Sequence, residues 1–257
     1  MLSWYRKNKV EFPWRLTNDP YKIWVSEIML QQTQVTTVIP FYNNWIQKFP
    51  TLNDVANASD DDLFKYWEGL GYYNRVNNFR VACNEVIKKY NGKVPSEKVE
   101  LMQLKGIGDY TSSAIASIAF NKKNYVIDGN VKRVMSRILC LKDYSKVSMH
   151  KLSNFLSENI CKNNPGDFNQ GLMDLGRNIC KPKNPDCNIC PVEFSCQAKA
   201  DDSIFLYPKT KPKKKKSPHY NVGVGIIWRE GKILITKRKK NTLLGGLWEF
   251  PGGKKKC

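Results

Sequence analysis

Three groups of residues in this 257-residue chain have the types and spacing to do chemistry. The first is "CKPKNPDCNICPVEFSC", which holds Cys180, Cys187, Cys190 and Cys196 in the pattern C-x6-C-x2-C-x5-C. The other four cysteines (Cys83, Cys140, Cys161 and Cys257) are scattered. A disulfide framework would spread its thiols along the chain, so a compact cluster of four points to a metal site. Four thiolates without histidine suit zinc or an iron–sulfur cluster. Zinc ribbons pair two C-x2-C hooks, and only one is present here, so the spacing favours the cluster.

The second group is a pair of carboxylates. Glu27 lies in "VSEIMLQQTQV", an acid in an otherwise apolar helical pattern. If that helix continues, Glu27, Gln31 and Gln34 share one face and form a polar stripe along a cleft. A carboxyl in an apolar cleft keeps its proton to higher pH and can act as an acid near neutrality. Asp128, in "VIDGNVKRV", precedes a helix and is expected to cap it, where the helix N-terminus favours its charge. A neutral acid beside a fixed carboxylate is the pairing that breaks glycosidic bonds through a cationic sugar transition state.

The third is the glycine turn of "LKGIGDYTSSAIASIAF". Glycines let a backbone approach a ligand, and amides at a helix start face anions. The Walker pattern is absent and no strand precedes the turn, so it is neither a P-loop nor a Rossmann turn. A helix–turn–helix hairpin around Gly106-Ile107-Gly108 instead suits sequence-independent contact with DNA phosphates.

These residues need elements to position them. Residues 19–163 read as mostly helical, with short loops rich in Asn, Gly, Pro and Asp. Asp19 and Pro20 mark a helix start in "NDPYKIWVSEIMLQQTQVTTVI", read as one helix. Ser96 is a candidate cap for a helix ending near Leu104. No alternating strand pattern occurs before residue 200. After it, "NVGVGIIWREGKILITKRK" reads as two β-runs turning at residues 229–232. The expected domains are a helical domain over 1–200, a basic linker over 201–217 and a short β-containing piece over 218–257.

The net charge is +19, and fifteen basic against four acidic residues place +11 of it in 201–257. Such a balance points to a polyanion, nucleic acid first. No apolar signal core opens the chain and no apolar run would span a bilayer, so a cytoplasmic, nucleoid-associated protein with no membrane partner is expected.

Together the G-I-G hairpin, V-I-D-G-N-V and the four-cysteine spacing resemble the helix-hairpin-helix DNA glycosylases of base excision repair. "PYKIWVSEIMLQQTQV", "WEGLGYYNR", "DGNVKRV" and "FNQGLMDLG" are most similar to the adenine DNA glycosylases within them. The resemblance runs from about Trp4 to Pro208, and the tail from Asn221 resembles the start of their C-terminal Nudix-like domain. It implies a mainly α, two-lobed fold with an iron–sulfur loop, followed by a β-hairpin fragment of a truncated Nudix-like α/β domain. It further implies a monofunctional enzyme acting as a monomer on double-stranded DNA, on adenine mispaired with 8-oxoguanine or guanine.

By that resemblance Glu27 protonates the adenine and Asp128, with Asn130 beside it, stabilises the oxocarbenium ion. Tyr110 stands where bifunctional relatives carry a Schiff-base lysine, and a phenol forms no imine. Trp14, Arg15, Leu30 and Gln170 match adenine-pocket positions. Gln32 and Tyr72 match residues inserted into the duplex. Lys105, Gly106, Ile107, Gly108 and Tyr110 would hold the DNA backbone, and Lys132 lies near enough for weak lyase chemistry. The four clustered cysteines would bind a 4Fe-4S cluster of structural role. No R-E-x-x-E-E follows "FPGG", so nucleotide hydrolysis is not expected. Two competing readings are an endonuclease III-like glycosylase/lyase and a non-catalytic iron–sulfur protein that binds DNA.

Overall fold

The structure, a computed structural model, describes residues 1–209, 219–239, 242 and 244–254. Most of the lysine run at 208–216 therefore lies outside the described residues. The chain divides into two compact units, Met1–Gly71 with Arg75–Thr210, and Tyr72–Asn74 with Lys211–Cys257.

The first unit is helical. Its helices are α1 (Leu2–Asn8), α2 (Pro20–Met29), α3 (Val35–Lys48), α4 (Leu52–Asn57), α5 (Asp60–Trp67) and α6 (Asn74–Tyr90). They continue with α7 (Lys98–Leu101), α8 (Asp109–Phe120), α9 (Gly129–Ile138), α10 (Lys146–Asn159), α11 (Pro165–Asn178) and α12 (Gln197–Ala200). As expected, Asp19 caps α2 by accepting from the amides of Tyr21 and Lys22, with Pro20 at the first helical position.

The expected helix over 18–39 is in fact two. α2 ends at Met29, Gln32 takes φ +58°, and Gln34 is extended at the start of α3. Carbonyls that a longer helix would use, those of Ile28 and Met29, accept from the Arg75 guanidinium instead. The polar stripe therefore does not form: Gln31 lies past the helix and reaches Thr111 Oγ1 at 3.4 Å, while Gln34 begins the next one. The expected Ser96 cap also fails. α7 is one turn long, begins after Glu97, and has no side-chain cap.

Two apolar cores flank α8. Aromatic rings of α2, α3, α5 and α6 fill one, with Trp24, Trp45, Trp67 and Phe79 almost wholly buried. Val131, Val134, Leu152, Leu156, Leu172 and Leu175 of α9, α10 and α11 fill the other. α8 can touch both α2 and α11 because all of its buried positions but Ile115 are small: Thr111, Ser112, Ser113, Ala114, Ala116 and Ser117. The closeness is literal at Gly166, where a Cβ would meet Ile118 Cα and Ser117 O at 2.9 Å.

The second unit carries three short antiparallel pairs. β1 (Val222–Val224) pairs with β6 (Gly252–Lys254), β2 (Trp228–Arg229) with β3 (Lys232–Ile233), and β4 (Thr236–Lys237) with β5 (Trp248–Glu249). The β2–β3 pair is the expected hairpin, turned by Glu230 and Gly231 at φ +49° and +72°. That geometry fits the two-residue primed turns. Every strand residue is exposed.

The hairpin turn between α7 and α8 tests the role of its glycines. Gly106 has φ +81°, and a Cβ there would lie 2.8 Å from Asn78 Cβ of α6. Gly108 has φ −102° and open space around it. Gly106→Ala is expected to cost about 2–3 kcal/mol, lowering Tm by roughly 5–10 °C in calorimetry, whereas Gly108→Ala costs less than about 1 kcal/mol.

Candidate active site

Glu27 lies near the end of α2, one turn before the chain reverses. Its side chain is only 6% exposed, among the apolar residues that bury the helix. Its Oε2 atom has no hydrogen-bond partner among the described residues. Burial pushes its carboxyl up from an ordinary 4.5 to about 7. The Tyr110 hydroxyl beside it opposes that rise, the charge of Asp128 adds to it, and Arg15 opposes it. Near neutrality Glu27 is thus an acid with a proton to give.

Asp128 caps α9 as expected. Its Oδ1 accepts from the Val131 amide at 2.7 Å, and its Oδ2 accepts from Asn130 Nδ2 at 3.0 Å. Asn130 is itself oriented by Arg133, whose Nη2 donates to Asn130 Oδ1 at 2.9 Å. The segment leading to Asp128 is irregular and held by one buried side chain. Asn169 of α11 donates to Ser117 Oγ and Asn124 O, and accepts from the Val126 amide.

These groups surround one cavity of about 230 Å³. Of the positions read from sequence, it brings together Trp14, Arg15, Glu27, Leu30, Tyr110, Asp128, Asn130 and Gln170. Trp14 is stacked on Phe12 and meets Tyr42 edge-on, which fixes its plane. Arg15 is held in a two-pronged pair with Asp174 of α11, at 2.7 and 2.9 Å. Tyr110 donates to Met173 Sδ at 3.4 Å, and burial followed by the neighbouring Glu27 charge lifts its phenol well above its ordinary value. It stays a neutral donor at any physiological pH.

Seven sequence-derived positions outside the cysteine loop do not line this cavity: Gln32, Tyr72, Lys132, Lys105, Gly106, Ile107 and Gly108. Gln32 and Tyr72 both take positive φ, and the Tyr72 side chain is 60% exposed. The Lys132 ammonium sits over the Tyr144 ring. Lys105 lies in the hairpin turn, its amide bonded to Glu85 Oε2. Within that turn Ile107 points inward and its amide donates to Leu104 O, so it anchors the turn. No side chain caps α8, which begins directly after Gly108. Asp174 and Met173 were missed by sequence reading. Asp174 had the same signal as Glu27, an acid within an apolar helical pattern.

The four clustered cysteines line one small cavity with Arg137 and Lys199. None is in a disulfide. Arg137 is 3% exposed and directs Nη1 to Cys180 Sγ at 3.2 Å. Burial, then the neighbouring thiols, push Cys187, Cys196 and Cys190 up, Cys190 to about 11. Among the described residues no three His, Cys, Asp or Glu side chains converge as one bound ion requires.

Residues 25–158 match the family described as "HhH-GPD superfamily base excision DNA repair protein". The chain belongs to this superfamily. It is 34% identical to an adenine DNA glycosylase of Rattus norvegicus, over 98% of this chain and 59% of that protein. It is 35% identical to one of Buchnera aphidicola subsp. Baizongia pistaciae, over 98% of this chain and 72% of the relative. A solved thermostable thymine-DNA glycosylase superposes with a TM-score of 0.71 at 28% identity, covering 78% of this chain and 93% of the other. The chain spans little more than half the length of the curated mammalian relatives. No described helix is long and apolar enough to cross a membrane.

The raised carboxyl of Glu27 has a consequence for stability. The folded state holds its proton up to about pH 7 and the unfolded state only to about 4.5. Folding then binds a proton between those values, so this group's contribution falls as pH rises through that window. Glu27→Gln is therefore expected to be more stable than the natural protein at pH 8 by on the order of 3 kcal/mol, a gain that vanishes near pH 4. Urea unfolding at both pH values measures it.

Proposed function

We propose that this chain is a monofunctional adenine DNA glycosylase of base excision repair. The observation that carries this is the buried Glu27 acid, with an unpartnered Oε2, sharing one cavity with the capped carboxylate of Asp128. The names of the relatives supply the base, adenine; its setting, a mispair with 8-oxoguanine or guanine in double-stranded DNA, is part of this reading.

The reaction follows from the residues. A glycosidic bond inside the stack is out of reach, so the nucleotide must leave the duplex. The hairpin turn, with Lys105, Gly106, Gly108 and the first amides of α8, grips backbone phosphates. Gln32 and Tyr72, on left-handed backbone, take the place of the extruded base. Trp14, Leu30 and Gln170 receive the adenine, and Arg15 is kept from swinging by Asp174. Glu27 gives its proton to the purine, which leaves as neutral adenine. The bond electrons depart with the base, and the positive charge on the sugar faces Asp128. Asn130 holds that carboxylate in place. Water completes the hydrolysis, yielding an abasic site. Tyr110 offers no amine, so no strand cleavage accompanies it.

Cys180, Cys187, Cys190 and Cys196 would hold a 4Fe-4S cluster. Their set fits it: four sulfurs around one cavity, with a buried arginine against one of them. When bound, such a cluster would supply a cross-link and charge to the loop, while the residues acting on the base lie around the Glu27 cavity. Residues 201–217 serve as a basic linker, and 218–257 as a Nudix-like segment. The protein acts as a monomer, with the cell's DNA.

Duplexes with adenine opposite 8-oxoguanine, guanine or thymine provide the test. Strand breakage at adenine is expected only after hot alkali. Breakage without alkali would mean lyase chemistry, and binding without base release a non-catalytic protein. Glu27→Gln should lower the single-turnover rate by at least about 100-fold. In the natural protein that rate should fall as pH rises through about 7, where Glu27 loses its proton. Separately, the purified holoprotein should contain about four iron and four sulfide per chain, lost together in Cys187→Ser.

A further inference from the structure

The last carbonyls of any α-helix lack partners within the helix. In α2, which carries Glu27, they are claimed by a single side chain from another helix. Arg75 of α6 directs Nη1 to Ile28 O at 2.8 Å, Met29 O at 3.0 Å and Gln31 O at 2.7 Å. Its Nη2 donates to Leu70 O at 2.9 Å and Gly71 O at 3.2 Å. The guanidinium also lies over the Trp67 ring, 5.3 Å from its centroid, while Trp67 Nε1 donates to Gly71 O.

One planar group therefore joins two chain reversals. The first is the turn after α2, where Gln32 adopts φ +58°. The second is the turn at Gly69 and Gly71, with φ +97° and +68°. Neither turn has a regular hydrogen-bond ladder of its own. Five carbonyls at fixed positions demand a flat, multidentate donor, which arginine is and lysine is not. A positive charge at the C-terminal end of α2 also opposes the helix dipole there.

We propose that Arg75 is a positioning residue for the reaction, setting where α2 ends and hence where the Glu27 carboxyl sits in its cavity. The inference deepens the glycosylase reading and rests on it for the consequence in rate. It does not rest on it for the geometry. Glu27 is two residues before the end of the helix, so loosening the last turn moves the acid. Misplacement of a catalytic group by about 1 Å can cost on the order of 100-fold in rate. The groups acting on Glu27 from other elements are Tyr110 of α8, Asp128 before α9 and Arg15, whereas the Arg75 hydrogen bonds above run to the two turns.

The test is Arg75→Lys, with Arg80→Lys as control. Arg80 lies on the same helix but pairs with Asp60, away from α2. Three measurements separate positioning from general damage. Duplex affinity should stay within about 3-fold of the natural protein, while the single-turnover rate drops by roughly 30- to 100-fold. Hydrogen exchange should quicken in residues 28–34 and 69–71 and stay unchanged in α9. The Glu27 carboxyl, followed by carbon NMR titration, should fall from near 7 toward its ordinary value as water reaches it. Arg80→Lys should leave all three unchanged. An Arg75→Lys protein with natural exchange in 28–34 and an unmoved Glu27 titration would overturn the proposal, whatever its activity. If the natural protein releases no adenine, the glycosylase reading fails, and exchange and titration still decide whether Arg75 places Glu27.

Discussion

Most of the first unit can be understood from one constraint: the Glu27 carboxyl is kept out of water yet borders a cavity. Burying Glu27 disfavours its charged form, and this gives it a proton near neutrality. The same burial destabilises the fold at higher pH, so the surroundings must hold the group in place against relaxation. α2 meets this by being buried along nearly its whole length, from Tyr21 to Met29. A helix buried on all sides needs neighbours on all sides. The large aromatic rings of α3, α5 and α6 cover one flank, and the small-residue face of α8 covers the other. Leaving one edge uncovered makes the cavity.

α11 joins the remaining parts. Its small residues allow close approach: Gly166 against α8, and Gly176 against Asn130, where a Cβ would lie 2.6 Å from Asn130 Cβ. Its polar residues do separate tasks. Asn169 ties down the irregular segment before Asp128, and Asp174 fixes Arg15. A buried ion pair of this kind adds little net stability, because desolvation offsets attraction. Its value is in orientation: Asp174 takes Arg15 in a two-pronged pair and Arg177 at 3.0 Å, which fixes both guanidiniums at the cavity.

The elements that carry the site were legible in the sequence where the signal was local. The Asp19–Pro20 start, the Asp128 cap, the G-I-G hairpin, the four-cysteine loop and the β2–β3 turn each rest on a few adjacent residues. Errors arose where a distant residue decided the local structure. Nothing within residues 18–39 says that the helix stops at Met29, because the group that claims its carbonyls is Arg75. Pairing of Val222–Val224 with Gly252–Lys254 was equally invisible, since each run is short and irregular. Glu27 and Asp128 could be identified from their settings, an acid in an apolar helix and a cap in D-G-N. That both face one cavity depends on the packing of α2, α8 and α11, which no spacing records.

The cysteine loop and the carboxylate site are linked through α9. Asp128 caps its start, and Arg133 and Arg137 follow one turn apart on the same face. Arg133 holds Asn130 Oδ1, Gly176 O and Cys180 O. Arg137 holds Cys180 Sγ together with the carbonyls of Lys181 and Pro182. Two guanidiniums thus run from the residue that orients Asp128 to the first cysteine of the loop. Guanidinium is the group suited to this, flat and able to satisfy several carbonyls at once. Arg75 does the same for α2. The two carboxylates of the cavity, one near the end of α2 and one capping α9, are thus held by separate supports: Arg75 of α6 for the first, and Arg133, through Asn130, for the second.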